Sequence, residues 1–236
     1  MIELHTYDTP NGRKVSVTLE EMGLSYSVHV IDITKSEQHA PAFLAISPNN
    51  RIPAIIDPDG PGGQPVSVFE SGAIMLYLGE KTGQFIPADP RARIAMLEWL
   101  MWQMGGFGPM LGQVHHFLGL TDPADQRYGL ARYAAETRRL YGVLDRRLAK
   151  VEYVAGPLSL ADFAILGWAW RHRKHQVDLG DFPEVKRWYR RTDGPPRRAA
   201  RICRKARPER LTLASAARRT HWQTSCETPA EGWPSG

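Results

Sequence analysis

Ile52-Pro53-Ala54-Ile55-Ile56 and Val66-Ser67-Val68-Phe69 are short apolar runs separated by Asp57 to Pro65, a stretch dense in glycine and proline. Two such runs joined by such a turn read as an antiparallel hairpin. Gly60, Gly62 and Gly63 lack the spacing of a phosphate-binding loop and no lysine follows them, so they read as turn residues. Toward the N-terminus lie a short helical segment around Pro41 to Ala45, an alternating run Tyr26 to Ile31, and a helix with Val15, Leu19 and Met22 at i, i+4 and i+7. Thr9-Pro10-Asn11-Gly12 opens that helix, Gly23 ends it, and residues 2 to 7 alternate as a half-buried strand before it. After the hairpin, Ser71 is expected to cap a helix running through Ile74, Tyr77 and Leu78 to Gly83. The order is β-α-β-α-β-β-α, a small α/β unit over residues 1–86.

Phe85 to Pro90, with two prolines, reads as a linker. From Arg91 to about Tyr189 helical periodicity replaces alternation, so residues 87–190 are expected to form an all-helical domain. Breaks are expected at Gly105-Gly106-Phe107-Gly108-Pro109, at Thr121-Asp122-Pro123 and at Val154 to Leu158. Ser159-Leu160-Ala161-Asp162 ahead of an apolar run has the spacing of a capping box, with Asp162 in place of the usual glutamate. Met96, Trp99, Leu100 and Trp102 read as core or subunit interface. Residues 191–236 are rich in arginine, then in Ser, Thr, Pro and Gly, and are expected to be mostly disordered.

The chain has 236 residues, 42 % of them hydrophobic, enough for one large or two small cores and too many for a disordered chain. No run approaches the length of a membrane span, and Met1 leads straight into Ile2-Glu3-Leu4-His5 without the basic and apolar regions of a leader. A soluble, unprocessed cytoplasmic protein that does not engage a membrane is the expectation. The formal charge is +5, but residues 190–236 hold eleven Arg and Lys against four Asp and Glu, leaving nineteen against twenty-one in the body. With a body net charge of −2, a nucleic-acid partner would depend on the tail alone and is not expected. Both cysteines, Cys203 and Cys226, also lie there, so thiol chemistry in the body needs a thiol carried in by a small molecule. His115 and His116 are adjacent, diverge by about 100° on a helix and lack an i+4 partner, so they read as packing or pocket residues and no metal site is expected.

An α/β domain, a linker and a helical domain in this order resemble a cytosolic glutathione S-transferase, whose first domain is thioredoxin-like. Asn49-Asn50-Arg51-Ile52-Pro53-Ala54-Ile55 resembles the family's stretch ending in a cis proline, Phe69-Glu70-Ser71-Gly72-Ala73-Ile74 its glutathione-binding Glu-Ser motif, and Ala155-Gly156 through Asp162 the capping box of its central helix. Thr9-Pro10-Asn11-Gly12, Ser47 through Ile55 and Trp102 through Met110 are similar to the bacterial Nu class. The resemblance spans roughly residues 1 to 190 and stops where the arginine-rich sequence replaces helical, partly apolar sequence.

That class implies disulfide reduction with glutathione as co-substrate, no tightly bound cofactor, and a homodimer. The alternatives are conjugation of glutathione to hydrophobic electrophiles, or a non-catalytic binding protein with the same fold. A glutathione thiol near pKa 8.5 must be held as thiolate, which a helix N-terminus favours. Thr9 and Asn11 at such a terminus could donate to the sulfur or simply cap the helix. Tyr7 is the rival donor or a packed aromatic. The resemblance further implies that Ile52, before cis Pro53, pairs with the cysteinyl backbone, Glu70 with the γ-glutamyl ammonium and Ser71 with its α-carboxylate. Gln38 and Arg132 match further glutathione-contacting positions, a solvated helical face being the other reading of Arg132.

Overall fold

β1 (Ile2–Thr6) buries Ile2, Leu4 and Thr6 on one face, the alternation that its sequence carries. A computed structural model describes residues 1–192. α1 (Pro10–Glu21) follows, with Pro10 in its first turn and Thr9 as N-cap, the Thr9 Oγ1 accepting the Gly12 N–H at 3.1 Å. β2 (Tyr26–Val30) pairs parallel to β1, and the short α2 (Pro41–Leu44) leads to β3 (Ala54–Asp57) and β4 (Val66–Phe69). These form the expected antiparallel hairpin, with Ala54 opposite Phe69 and Asp57 opposite Val66. β3 also pairs antiparallel to β1, giving a four-stranded mixed sheet in the order β2-β1-β3-β4. Ile52 and Pro53 lie just outside β3, joined by a cis peptide bond.

α3 (Ser71–Thr82) differs from expectation at its start. Ser71 is the first residue inside the helix, and Glu70 takes the cap position with φ 67° and ψ 117°, its carboxylate making no capping bond. The hairpin's last residue therefore turns sharply into the helix, and Ser71 keeps its hydroxyl for other partners. Tyr77 and Lys81 of α3 both donate to the Asp57 carboxylate, at 2.6 and 2.7 Å, fastening α3 to the end of β3. Gly83, at φ +67°, ends the helix as expected.

From α4 (Pro90–Trp102) onward the described chain is helical. α5 (Gly108–Leu118), α6 (Pro123–Leu148), α7 (Leu160–Ala169) and α8 (Pro183–Arg191) complete it. The glycine-rich stretch after Trp102 is not the break its composition suggests: Gln103–Phe107 form a π turn that carries α4 directly into α5. Phe107 is fully buried and stacks on Trp102 at 5.1 Å, so packing overrides the weak helix propensity of Gly105 and Gly106.

The capping box forms as read, Ser159 and Asp162 each serving the other's backbone. Asp162, fully buried, also accepts the Val154 N–H and the Trp188 indole N–H, at 3.0 and 2.9 Å. All ten residues of α7 are buried, and the helix packs on α1, α3, α4 and α5. One contiguous core thus runs from Leu4, Leu19 and Ile74 to Phe107, Tyr141 and Trp188. Arg191 closes α8 and Thr192 is buried, its hydroxyl on the Trp188 carbonyl, so these two residues belong to the packed body and not to the tail. The remainder of the expected disordered segment lies outside the described residues. Among the described residues no helix is long and apolar enough to cross a membrane.

Candidate functional site

The N-terminal ends of α1 and α3 meet where α1 packs on α3. The strand register that sets Ala54 opposite Phe69 brings the cis Pro53 beside Glu70. Asn49 donates from Nδ2 to the Glu70 carboxylate at 3.3 Å, tying the loop before Ile52 to the α3 cap. Ile52 is half-buried and outside the ladder, so its N–H and C=O are not spent on β3. Gln38 sits in a short turn, Glu37–His39, that is joined to the same loop by a 3.2 Å contact between His39 and Asn50. Its Oε1 is buried without a hydrogen-bond partner. Five sequence-derived candidates, Gln38, Ile52, Pro53, Glu70 and Ser71, thus share one end of the sheet.

Thr9 and Asn11 stand at the α1 N-terminus, where unpaired N–H groups and the positive end of the helix dipole favour an anion. Thr9 does cap, but an oxygen that accepts the Gly12 N–H still has its own O–H to give. Asn11 accepts the Trp168 Nε1–H at 2.9 Å. An indole N–H can only donate, so the amide is fixed with Oδ1 toward Trp168 and its NH₂ left as the outward donor. The Trp168 ring lies along α5 over Gly108 and Gly112, where a Cβ would come within 3.1 Å of it at each position.

Behind Trp168, His115 and His175 stack at 4.6 Å, and His175 stacks in turn on the indole at 6.1 Å. Burial, helped by the nearby Arg171 and Lys174, pushes His115 down to about 4 and His175 to about 2. Both rings are therefore held neutral within this stack.

Tyr7 makes a different use of its hydroxyl. Its side chain hydrogen-bonds Asp32 and Thr34, and burial followed by the Asp32 charge raises its pKa, so the hydroxyl keeps its proton and is engaged at Asp32. Arg132 is not brought to the cluster by any contact in the described structure: it lies exposed on α6, one turn from Glu136, whose carboxylate it helps hold below its ordinary range. Lys14 and Met104 were not singled out by the sequence, yet the Lys14 Nζ lies 3.5 Å from Ser71 Oγ and 3.2 Å from Met104 Sδ.

A second group, Glu3, His5 and His29, gathers on the β1–β2 face. The two imidazoles lie nearly parallel, 14° apart and 4.6 Å between centroids, so their ring-plane lone pairs run side by side instead of converging on one ion. Both Nε2 atoms face the Glu3 carboxylate at 3.7 and 3.5 Å.

The glutathione S-transferase N-terminal domain model matches residues 9–81 and the C-terminal domain model residues 110–193. The disulfide-bond oxidoreductase YfcG of Escherichia coli (strain K12) is 47 % identical over 198 residues, 83 % of this chain and 92 % of its own length. Among solved structures, a glutathione transferase from Pseudomonas putida with one glutathione disulfide bound per subunit is 43 % identical, with a TM-score of 0.78 over 85 % of this chain and 90 % of its own. A glutathione transferase family member from Pseudomonas fluorescens pf-5 with two glutathione bound is 42 % identical, with a TM-score of 0.77 over 85 % and 91 %. With the thioredoxin-like sheet, the helical domain and both halves of the chain matched, the protein belongs to the glutathione S-transferase family.

Proposed function

We propose that the chain is a glutathione-dependent disulfide-bond reductase, with glutathione as co-substrate and no tightly bound cofactor. The observation that carries this is the fixed Asn11 amide, an outward donor at a helix N-terminus in a chain with no cysteine before Cys203. Thr9, Asn11 and the α1 dipole hold the glutathione sulfur as thiolate after its proton leaves to solvent. The thiolate attacks one sulfur of the substrate disulfide, the S–S bond breaks, and the leaving thiolate takes a proton from solvent. A second glutathione thiolate attacks the glutathione sulfur of the mixed disulfide, giving glutathione disulfide and the second substrate thiol. Two glutathione molecules supply both electrons, and the protein contributes no sulfur.

Ile52, Glu70 and Ser71 hold the backbone, ammonium and α-carboxylate of the tripeptide, with Gln38 beside them. Arg132 is proposed as a further contact from the helical domain. Homodimerisation is proposed through α4, where Ile94 and Met101, seven residues apart and so on one face, are 58 % and 49 % exposed. A reducing cytoplasm that supplies glutathione is the proposed location. We take residues 1–86 as the glutathione domain and 87–190, with Arg191 and Thr192 packed on it, as the substrate and dimer domain.

The test is glutathione disulfide formation from 2-hydroxyethyl disulfide by the full chain and by Cys203→Ser/Cys226→Ser. Rates agreeing within about twofold are expected, because only glutathione sulfurs take part. Loss of most activity in the double variant overturns the mechanism. Turnover of a chlorinated dinitrobenzene without disulfide reduction would make the protein a conjugating transferase, and glutathione binding with neither activity a binding protein.

A further inference from the structure

Lys14 lies in the second turn of α1 with 1 % of its surface exposed. Its stem crosses Gly167 of α7, where a Cβ would come within 2.8 Å of Lys14 Cγ, so the bare glycine makes its path. Its Nζ ends between a hydroxyl and a thioether, Ser71 Oγ at 3.5 Å and Met104 Sδ at 3.2 Å. Of the groups facing it from α3, the π turn and α7, Glu70 is the charged one, and it acts through its field while its carboxylate accepts from Asn49. A buried ammonium needs a counter-charge, and the adjacent N-terminus of α3 adds positive potential instead of supplying one. Among the described residues the Lys14 Nζ thus has no anion in direct contact, only the field of Glu70. Burial accordingly brings Lys14 down to about 7.

We propose that Lys14 is the buried cation of the glutathione site, becoming charged when the γ-glutamyl α-carboxylate docks at Ser71 and turning the Ser71 hydroxyl toward that carboxylate. This rests on the glutathione reading above. The direction follows from donor and acceptor counts. A charged Lys14 has only hydrogens to offer, so Ser71 Oγ accepts from it, and the Ser71 O–H, which points to Met104 Sδ at 3.8 Å, turns to the carboxylate, a stronger acceptor than a thioether. A neutral Lys14 can accept from Ser71, which turns the hydroxyl inward and leaves the carboxylate without it. Carboxylate binding and proton binding on Lys14 therefore favour each other, and ligand binding above the free-site pKa draws protons from solvent. Lys14 acts through Ser71 and is a positioning residue.

S-methylglutathione, which has no thiol proton to exchange, is the probe. Calorimetric titrations at pH 7.5 in buffers of different ionisation enthalpy give the protons taken up per ligand. The wild-type chain is expected to exceed Lys14→Met by roughly half a proton or more. The methionine variant, which keeps the stem without the charge, should bind about tenfold more weakly. Lys14→Arg carries a permanent charge, so it should recover affinity without the excess uptake, and it serves as the comparison if the methionine variant does not fold. Equal proton counts in wild type and variants overturn this inference and leave the glutathione reading standing. Failure of the wild type to bind the probe overturns both.

Discussion

Asn11 and Tyr7 compete for the same chemical role, and their hydrogen bonds separate them. The Asn11 oxygen is occupied by Trp168, which leaves two N–H donors at the α1 N-terminus, whereas Tyr7 is engaged by Asp32 and Thr34. Replacing Thr9 and Asn11 together by alanine should raise the pKa of the bound glutathione thiol by about one unit, the scale of a lost hydrogen bond to a charged group. The check is thiolate absorbance against pH with glutathione bound. Tyr7→Phe should leave that curve in place, and a shift there with none in the double variant passes the role to tyrosine. Thr9 and Asn11 are visible in the sequence as a helix start, and their proposed role at the sulfur rests on the family resemblance. Trp168 is not visible there, because its partner lies 157 residues away and no local pattern marks the pair.

At the scale of elements, the apolar period of α1 predicts one buried face, yet every residue from Gly12 to Leu19 is buried, Arg13 and Lys14 included. α3 packs on one side of the helix, and α7 covers part of what an isolated amphipathic helix would leave to water. Arg13 survives burial through its ion pair with Asp8 at 2.7 Å and by lying 3.5 Å over the Trp170 ring. The α5–α6 pair shows the same dependence on close approach. Gly129 of α6 is buried where a Cβ would lie 2.1 Å from the Phe117 ring, itself stacked on Tyr133. Gly129→Ala should destabilise the fold by about 1–3 kcal/mol, seen as a lower urea midpoint with an unchanged slope. An unaffected midpoint would mean that α5 and α6 separate without cost.

For the whole molecule, the buried imidazoles set an acid limit. His115 and His175 titrate far below the ordinary 6.5 when folded, held down chiefly by burial, and burial lowers His172 and His5 in the same direction. Unfolding restores their basicity, so the unfolded chain binds more protons and stability falls with falling pH. Between pH 6.5 and 5, above most carboxylate titration, the melting temperature should decline, and His175→Phe should flatten that decline while keeping a ring in the stack. A parallel decline in wild type and variant would remove His175 from the account. The charge distribution makes a separate prediction. Residues 193–236 carry nine Arg and Lys against four Asp and Glu, the entire net charge of the chain. A chain ending at Thr192 should leave a cation exchanger at clearly lower salt while still binding glutathione. Unchanged elution would place the adsorbing charge in the body.

Alternation, helical period, turn residues and capping motifs act over a few neighbouring residues, and so the βαβ start, the 54–69 hairpin, the helical second half and the Ser159–Asp162 box were all readable along the chain. Pro53, Glu70 and Ser71 stand out in short motifs, but their proposed ligand roles rest on the family resemblance carried by those motifs and not on local pattern alone. The exchange of cap position between Ser71 and Glu70 was not readable, because it depends on how β4 is directed into α3 by its pairing with β3. Glycine lowers helix propensity and so predicts a break at Gln103–Phe107, whereas the π turn is held by the burial of Phe107 against neighbours that include the sequence-distant Tyr141. Lys14, Met104 and Trp168 acquire their contacts at the site only when α1, α3, the π turn and α7 converge. A side chain's charge and hydrogen-bond direction depend on what surrounds it in space, and those surroundings exist only once the chain has folded.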